Sequence, residues 1–248
     1  DMRDVTYIKL VIFGKKPSTE FCDANYDGKV SMLDVVQTKL IIVGKEAKLT
    51  IVDSADRIVT VKEPIERVVV MQGYATVAIR ALGVKDKIVG VDGYTKERKA
   101  VFFPELTKLP SVGLYSTTPD IEAILSLKPD LIITYGYSVK YLKDISESIP
   151  VIGLYLYYQP GISLEEEVKK LGYIFGKVDE ANLYIDDFYN KYVDPIKART
   201  EKLSEEERPK VYVESNKPYM TYGSGTGYQL YLEMSGGRNL FADISGYP

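Results

Sequence analysis

Residues 23–34, which read DANYDGKVSMLD, carry oxygen-bearing side chains at a spacing that suits a hard divalent cation. Oxygens at loop positions 1, 3, 5 and 12, with glycine at position 6, are what Ca²⁺ requires. Gly28 permits the sharp turn, and Lys29 would bind through its backbone carbonyl. A polar turn that only caps a helix is the alternative. The predicted Ca²⁺ ligands are Asp23, Asn25, Asp27, Lys29, Ser31 and Asp34.

The segment around this loop is duplicated. Residues 1–16 and 31–46 are identical at eight positions at an offset of thirty, including Asp4/Asp34 and Gly14/Gly44. Each copy has apolar residues at helical spacing and ends at a glycine suited to a left-handed C-cap. The duplication favours the calcium loop over a simple polar turn.

Two gaps in the composition exclude whole classes of chemistry. The chain has no histidine and a single cysteine, Cys22, so it cannot hold a Ser-His-Asp or Cys-His nucleophile or a His- or Cys-based zinc site. Cys22 is interpreted as a plain thiol. A net charge of −3 gives no electrostatic footprint for nucleic acid.

Short apolar runs and helical patterns alternate from residue 49 onward. Two runs, 49–52 and 57–61, flank a polar turn and predict a hairpin. Further strands are predicted at 67–71, 88–91, 131–134, 150–153 and 210–214. Helices are predicted at 75–82, 121–127, 139–146, 163–175 and 228–234, with a long helical stretch at 179–207 interrupted by Pro195. This rhythm predicts an α/β fold with a mostly parallel sheet.

Tyrosine recurs in the loops that follow the predicted strands. In open α/β sheets a ligand binds beyond the carboxyl ends of the strands, and tyrosine offers a broad apolar face with one hydroxyl. These rings could instead pack only against one another. The predicted ligand-binding residues are Tyr74, Tyr94, Tyr115, Ser116, Tyr135, Tyr137, Tyr155, Tyr157, Tyr158, Tyr222 and Ser224. Arg80 and Arg98 are interpreted as solvated helix residues.

The tandem repeat, with Asp rather than Glu at loop position 12, resembles the dockerin family over residues 1–46. The resemblance implies a Ca²⁺ cofactor and a cohesin-type protein partner. It also implies that the first repeat is truncated, with Asp1 and Asp4 at positions 9 and 12 of an incomplete loop. A purely structural calcium clip is the alternative.

An ordered set of motifs follows, at 51–57, 64–70, 80–91, 112–113, 119–133 and 236–240. From residue 49 to the end the chain resembles the helical-backbone solute-binding proteins of ABC importers for iron(III)-siderophores, haem and cobalamin. The resemblance implies two α/β lobes joined by a long helix, with a second lobe that stops early. It places Glu233 as a contact to the permease, and Val77 where the first lobe usually presents an acidic residue.

These resemblances divide the chain into a dockerin-like calcium module, a first lobe, a connecting helix and the start of a second lobe. The predicted bounds are 1–47, 48–178, 179–208 and 209–248.

The expected function is non-catalytic capture of an iron chelate, a haem-type chelate or a corrinoid, and its delivery to an ABC permease. A dockerin-bearing scaffold and a polysaccharide-acting enzyme are the alternatives. Cell-surface or periplasmic placement, with membrane association through the transporter, follows from the two resemblances. Any leader or lipid anchor is expected to have been removed, because no basic-then-apolar segment opens the chain.

Overall fold

The computed structural model describes residues 1–25, 28–98, 101–157, 161, 163–215 and 217–247. The chain divides into two compact units. The first unit comprises Asp1–Leu154 and Lys169–Glu180, and the second comprises Tyr155–Val168 and Ala181–Pro248. The four domain bounds predicted from the sequence stay a prediction, because compactness alone does not show where an independently folding part begins.

The duplicated segment forms two helices, α1 (Met2–Ile12) and α2 (Met32–Ile42), with a short 3₁₀ turn at Glu20–Cys22 between them. Each helix begins with a capping box, in which Asp4 or Asp34 reaches back to the backbone of its N-cap residue. Their apolar faces bury Val5, Ile8, Cys22 and Val35 together. Cys22 therefore lies in this small core as a buried free thiol.

The predicted hairpin is confirmed: β1 (Lys48–Val52) pairs antiparallel with β2 (Ile58–Lys62). Its turn is held by Asp53, whose buried carboxylate accepts hydrogen bonds from the Arg57 guanidinium and from the backbone N–H of Gly153. Because an unpaired buried carboxylate would be costly, these bonds fix the hairpin against the edge of the main sheet.

The main sheet consists of β3 (Val68–Val70), β4 (Ile88–Val91), β5 (Leu131–Tyr135) and β6 (Val151–Leu154). The strand order is β4-β3-β5-β6, and every pairing is parallel. The strands are almost entirely buried, as their continuous apolar sequences predict. All four strands were predicted, and their carboxyl ends lie along one edge of the sheet.

Short helices follow the strands of this sheet: α3 (Gly73–Ala81), α4 (Gly93–Arg98) and α5 (Ile121–Ser126), with 3₁₀ segments at Pro104–Lys108 and Gly136–Leu142. The helix predicted at 139–146 is wrong, since this stretch is 3₁₀ helix followed by turns. The segment packs tightly on β6: a Cβ added at Gly153 would lie 2.7 Å from the Cα of Gly136. This close approach favours the narrower 3₁₀ winding over an α-helix.

A helical region continues with α6 (Leu164–Ile174), α7 (Val178–Phe188), a π-helical segment (Tyr189–Val193) and α8 (Asp194–Thr200). Pro195 stands in the first turn of α8, directly after the π-helical segment, and the backbone stays helical through Val193 and Asp194. The predicted kink or break at Pro195 stays a prediction. The predicted continuation to residue 207 is wrong. Helix α8 ends at Thr200, and the Ser204 N–H and hydroxyl both donate to the Glu207 side chain in the turn that follows.

The end of the chain forms β7 (Lys210–Val211), α9 (Gly227–Met234) and β8 (Arg238–Asn239). Strand β7 is shorter than predicted, and it pairs in parallel with β8. The Asn239 side chain donates to the Tyr222 carbonyl and to the Gln229 side chain, which ties the loop before α9 to β8. Within the described parts of the chain, no helix is both long enough and apolar enough to cross a membrane.

Gly113 shapes the loop that carries Tyr115. Its φ is +79°, and a Cβ there would collide with the Thr118 carbonyl and lie 2.6 Å from the Asp120 nitrogen. We expect Gly113→Ala to lower the free energy of unfolding by about 3 kcal/mol, because it combines left-handed strain with overpacking.

Gly83→Ala is the matched control, since Gly83 has a φ of +74° and, among the described residues, no atom lies within 4 Å of the place that a Cβ would occupy. It should cost only about 1 kcal/mol. Urea unfolding of both variants measures the difference, and equal losses would show that the loop relaxes around the added methyl group.

Candidate functional site

A cavity of about 530 Å³ opens at the carboxyl edge of the main sheet. Most of its lining is aromatic, and every lining residue belongs to the first compact unit. The lining residues are Gly73, Tyr74, Val77, Arg80, Tyr94, Phe102, Phe103, Tyr115 and Tyr135. Four of the tyrosines predicted from the sequence therefore lie around one cavity.

Three of these four tyrosines are positioned by strand ends, and the fourth lies in a loop. Tyr74 stands in the first turn of α3, directly after β3, and Tyr94 stands in the first turn of α4, directly after β4. Tyr135 ends β5, and Tyr115 lies in the loop closed by the Leu114 N–H to Thr118 carbonyl bond. Parallel strands bring these four positions to one edge, although they are far apart in sequence.

Three of the rings form an aromatic cluster. The Tyr115 and Tyr135 ring centroids are 4.8 Å apart, and Tyr137 stacks on Tyr135 at 5.2 Å with an interplanar angle of 10°. Such ring pairs add about 0.5–1.5 kcal/mol beyond the burial of their surface. The cluster therefore gives the cavity a stiff wall. Tyr137 is exposed, and neither it nor the half-buried Ser116 is among the lining residues.

Asp92 stabilises the start of α4, which carries the cavity-lining Tyr94. This fully buried residue accepts hydrogen bonds from the Thr95 N–H, at 3.0 Å, and from the Thr95 hydroxyl. Burial raises the pKa of its carboxyl group, and the bonds from Thr95 oppose that rise. Asp92 holds the start of α4, and so the backbone of Tyr94, in place.

Five lining residues were not among the predicted ligand residues: Gly73, Val77, Arg80, Phe102 and Phe103. Arg80 is an exposed residue of α3, as the sequence predicted, and it also borders the cavity, which the sequence did not predict. Tyr74, Val77 and Arg80 recur at helical spacing along α3, so a helical-face analysis of the residues around Tyr74 could have found Arg80. Nothing in the sequence marked the two phenylalanines.

The remaining predicted ligand residues belong to the second unit. Tyr155 and Tyr157 make an edge-to-face pair at 5.9 Å, and Tyr222 stacks on Tyr228 at 3.9 Å. Desolvation raises the pKa of Tyr222, assisted by the neighbouring tyrosines. Ser224 is bonded through its backbone to Ile244. Tyr158 lies outside the described residues, and all of these positions stay predictions as ligand contacts.

The calcium loop is described except for Tyr26 and Asp27, so the predicted ligand Asp27 lies outside the described residues. Asp34 is fully buried, and its two carboxylate oxygens accept the N–H groups of Asn25, at 3.2 Å, and Ser31, at 2.7 Å. The Gly28 N–H donates to the Asp23 carboxylate at 2.8 Å. These bonds tie both carboxylates to the backbone of the loop, and the calcium site stays a prediction.

No cluster of three potential His, Cys, Asp or Glu metal ligands occurs among the described residues. One of the predicted Ca²⁺ ligands, Asp27, lies outside the described residues. The oxygen donors that are described nevertheless suit Ca²⁺, because carboxylate and carbonyl oxygens are the ligands of hard cations.

Comparison with known proteins identifies the family. The sequence pattern of the periplasmic binding protein family matches residues 68–247, which include β3 to β8 and the whole lining of the cavity. The chain belongs to this family.

Two curated relatives of this chain have names that describe substrate or ligand binding. An uncharacterised ABC transporter substrate-binding lipoprotein of Bacillus subtilis, YvrC, is 27% identical over 80% of this chain and 63% of its own length. The vitamin B12-binding protein of Vibrio cholerae is 28% identical over 73% of this chain and 62% of its own length. The chain thus spans less than two thirds of either relative.

Among solved structures, the molybdate-bound periplasmic binding protein MolA of Haemophilus influenzae superposes with a TM-score of 0.69. It is 25% identical, and the match covers 80% of this chain and 68% of MolA. The α/β fold of the two-lobed solute-binding proteins, predicted from the sequence, is therefore supported. The dockerin-like part of the prediction finds no support in these comparisons.

A second cavity, of about 510 Å³, lies at the opposite edge of the sheet in this periplasmic binding protein. Glu63 lines it, and burial raises the pKa of Glu63 to about 7; Lys87 opposes the rise and Glu46 adds to it. Among the described residues, one oxygen of Glu63 and one of Glu46 are buried without a hydrogen-bond partner. Glu63 is therefore more stable protonated than ionised at mildly acidic pH.

The raised pKa of Glu63 predicts a pH dependence of stability. Its contribution is complete below the ordinary pKa of 4.5 and is lost as the pH rises through about 7. Glu63→Gln should remove this loss, so its unfolding free energy relative to the parent chain should rise by about 1 kcal/mol between pH 4.5 and 8, since water screens the half-buried group.

Urea unfolding across this pH range measures the effect. Glu147→Gln, which changes another glutamate that lines the same cavity, is the matched control. A Glu63→Gln curve parallel to that of the parent chain would contradict the assignment.

Proposed function

We propose that this chain is the solute-capturing component of an ABC importer, and that it binds a bulky metal chelate: a haem-type or siderophore iron chelate, or a corrinoid. The observation that carries the proposal is the tyrosine-walled cavity at the carboxyl edge of the sheet, in a member of the periplasmic binding protein family. The relatives whose names give a function are substrate-binding proteins, which fits a non-catalytic role.

The chemistry of the cavity suits such a ligand. Its volume of about 530 Å³ lies within the range usual for ligand sites, roughly 300–1,000 Å³. Aromatic faces can cover a large, flat, amphipathic solute, and the phenol hydroxyls can bond to polar groups at its edge. The half-exposed Tyr74 and Tyr94 leave the mouth of the cavity accessible. The vitamin B12-binding relative makes a corrinoid a natural first ligand to test.

Delivery to a permease requires a docking contact. Glu233 is exposed near the end of α9, where its carboxylate accepts a hydrogen bond from the Gln229 side chain at 2.6 Å. It is the proposed acidic contact in the second unit. In the first unit the corresponding position is Val77, which is apolar and exposed. Placement outside the cytoplasm, at the cell surface or in a periplasm, belongs to the same proposal.

Ligand binding tests the proposal directly. We expect the full chain to bind haem, a ferric siderophore or cyanocobalamin, with a rise in melting temperature on saturation. Tyr115→Ala should weaken binding by about tenfold, because it removes an aromatic wall. Isothermal titration calorimetry measures the affinities, and thermal unfolding with and without each ligand measures the rise in melting temperature.

Tyr141→Ala is the matched control, since Tyr141 belongs to the same unit and does not line the cavity. Its affinity should stay within about twofold of that of the parent chain. If none of the three ligand classes binds, the capture role is wrong. That result would favour the alternative in which the chain is a dockerin-bearing scaffold. Hydrolysis of a polysaccharide by the chain would favour the enzyme alternative.

We further propose that residues 23–34 bind Ca²⁺ and that the duplicated segment is a dockerin-like module that docks a cohesin-type partner. The buried carboxylate of Asp34, bonded to two backbone N–H groups of its own loop, supports the calcium site. Exposed apolar side chains on α2, including Leu33 and Val36, are compatible with a partner-binding role. A structural calcium clip would use the same ligands without a partner.

Calcium binding has an internal control in the duplication. Ca²⁺ at about 100 times its Kd should stabilise the full chain by about 2.7 kcal/mol. Asp34→Asn should abolish this shift, whereas Asp4→Asn should keep it, because Asp4 makes the equivalent capping box but is not one of the proposed ligands. Thermal unfolding with and without Ca²⁺ gives the readout. Equal calcium responses of the two variants would contradict the assignment of the loop.

A further inference from the structure

Arg80 is the one charged residue among the described residues that line the tyrosine cavity. It lies in the last turn of α3, on the helical face that also carries Tyr74 and Val77. Aromatic and aliphatic groups dominate the rest of the lining. A ligand in this cavity therefore meets one fixed positive charge in a largely neutral site.

The contacts of Arg80 hold its head group at the cavity without neutralising it fully. Nη1 donates to the Phe102 carbonyl at 2.8 Å, and the guanidinium lies 5.7 Å from the Phe103 ring centroid. Nε is 3.5 Å from a carboxylate oxygen of Glu105, and both side chains are partly exposed, at 47% and 31%. An ion pair at this distance, with this much solvent exposure, contributes little to stability.

Some N–H donors of the Arg80 guanidinium are not used by these contacts. It carries five N–H groups, and the contacts above use those on Nε and Nη1, so in the described part of the chain Nη2 has no bonded acceptor. Arginine binds carboxylates with two parallel N–H donors, and such charge-assisted bonds are stronger beside apolar walls than in open water. The Phe102 carbonyl and the Phe103 ring orient the guanidinium before a ligand arrives.

We propose that Arg80 is a specificity-determining residue that pairs with an acidic substituent of the ligand, displacing its weak contact with Glu105. The inference rests on the proposed capture function and narrows it. The preferred solute has a broad apolar or aromatic body with a peripheral carboxylate. A chelate whose periphery is entirely neutral binds less well.

Two pairs of ligands, each matched in shape, test the proposal on the full chain. The first pair is haem, with two propionates, and haem dimethyl ester. The second pair is cyanocobalamin and its derivative with one peripheral amide hydrolysed to a carboxylic acid. In at least one pair the acid form should bind about tenfold more tightly, and its affinity should fall as salt is raised from about 50 to about 500 mM, as expected for a charge-assisted contact.

Variants assign this preference to the residue. Arg80→Gln should remove the acid preference and its salt dependence, so that the acid and neutral forms bind with affinities within about twofold of each other. Arg80→Lys should retain part of the preference, and Glu105→Gln should increase it by removing the competing carboxylate. Lys108→Gln is the matched control: it removes an exposed cation from the same 3₁₀ segment that carries Glu105, away from the cavity lining.

The outcomes separate this inference from the function on which it rests. Equal binding of acid and neutral forms by the parent chain, or an equal loss of both in folded Arg80→Gln, overturns the role of Arg80 and leaves the capture function standing. A preference lost equally in Lys108→Gln also overturns it, because a general surface charge would then explain the effect. If neither form of either pair binds the parent chain, both the capture of these chelates and the role of Arg80 fail.

Discussion

Parallel hydrogen bonding among four short strands is the constraint on which the candidate site depends. Strands β4, β3, β5 and β6 pair side by side in the same direction, so the chain must cross over between them and each crossover starts at the same edge. Residues that are far apart in sequence, such as Tyr74, Tyr94 and Tyr135, are therefore neighbours in space. The cavity follows from this topology, and the side chains determine only what it can hold.

A few buried polar groups keep this edge in register. The Gln72 side chain is fully buried and donates to the carbonyls of Thr134, at 2.8 Å, and Leu154, at 3.3 Å, which joins the ends of β3, β5 and β6. Asp92 does the same for the start of α4, and Asp53 fastens the hairpin to the outer strand. Such groups are expensive to bury, so the hydrogen bonds that they do make fix the local geometry. A rim held in this way loses little conformational freedom when a solute binds.

The relatives show that one fold can serve proteins with different ligands. The protein from Vibrio cholerae is named for binding vitamin B12, and MolA is described with bound molybdate, a far smaller and fully anionic solute. Both share sequence with this chain at about a quarter of the aligned positions, so family membership does not choose the ligand. In this chain we propose that the aromatic walls and Arg80 make that choice. Their combination of apolar surface with one cation differs from what a small inorganic oxyanion would need.

Local sequence patterns were enough to predict the strands of the main sheet, the hairpin, the paired N-terminal helices and the tyrosines at the strand ends. These features depend on hydrophobic periodicity, turn residues and capping residues, all of which act over a few neighbouring positions. The two phenylalanines at 102 and 103 could not be assigned in this way, because packing between distant segments sets which loop meets α3. The 3₁₀ winding after β5 and the raised pKa of Glu63 have the same origin. Close backbone approach and desolvation arise only when distant segments of the folded chain come together, so no local pattern could have predicted them.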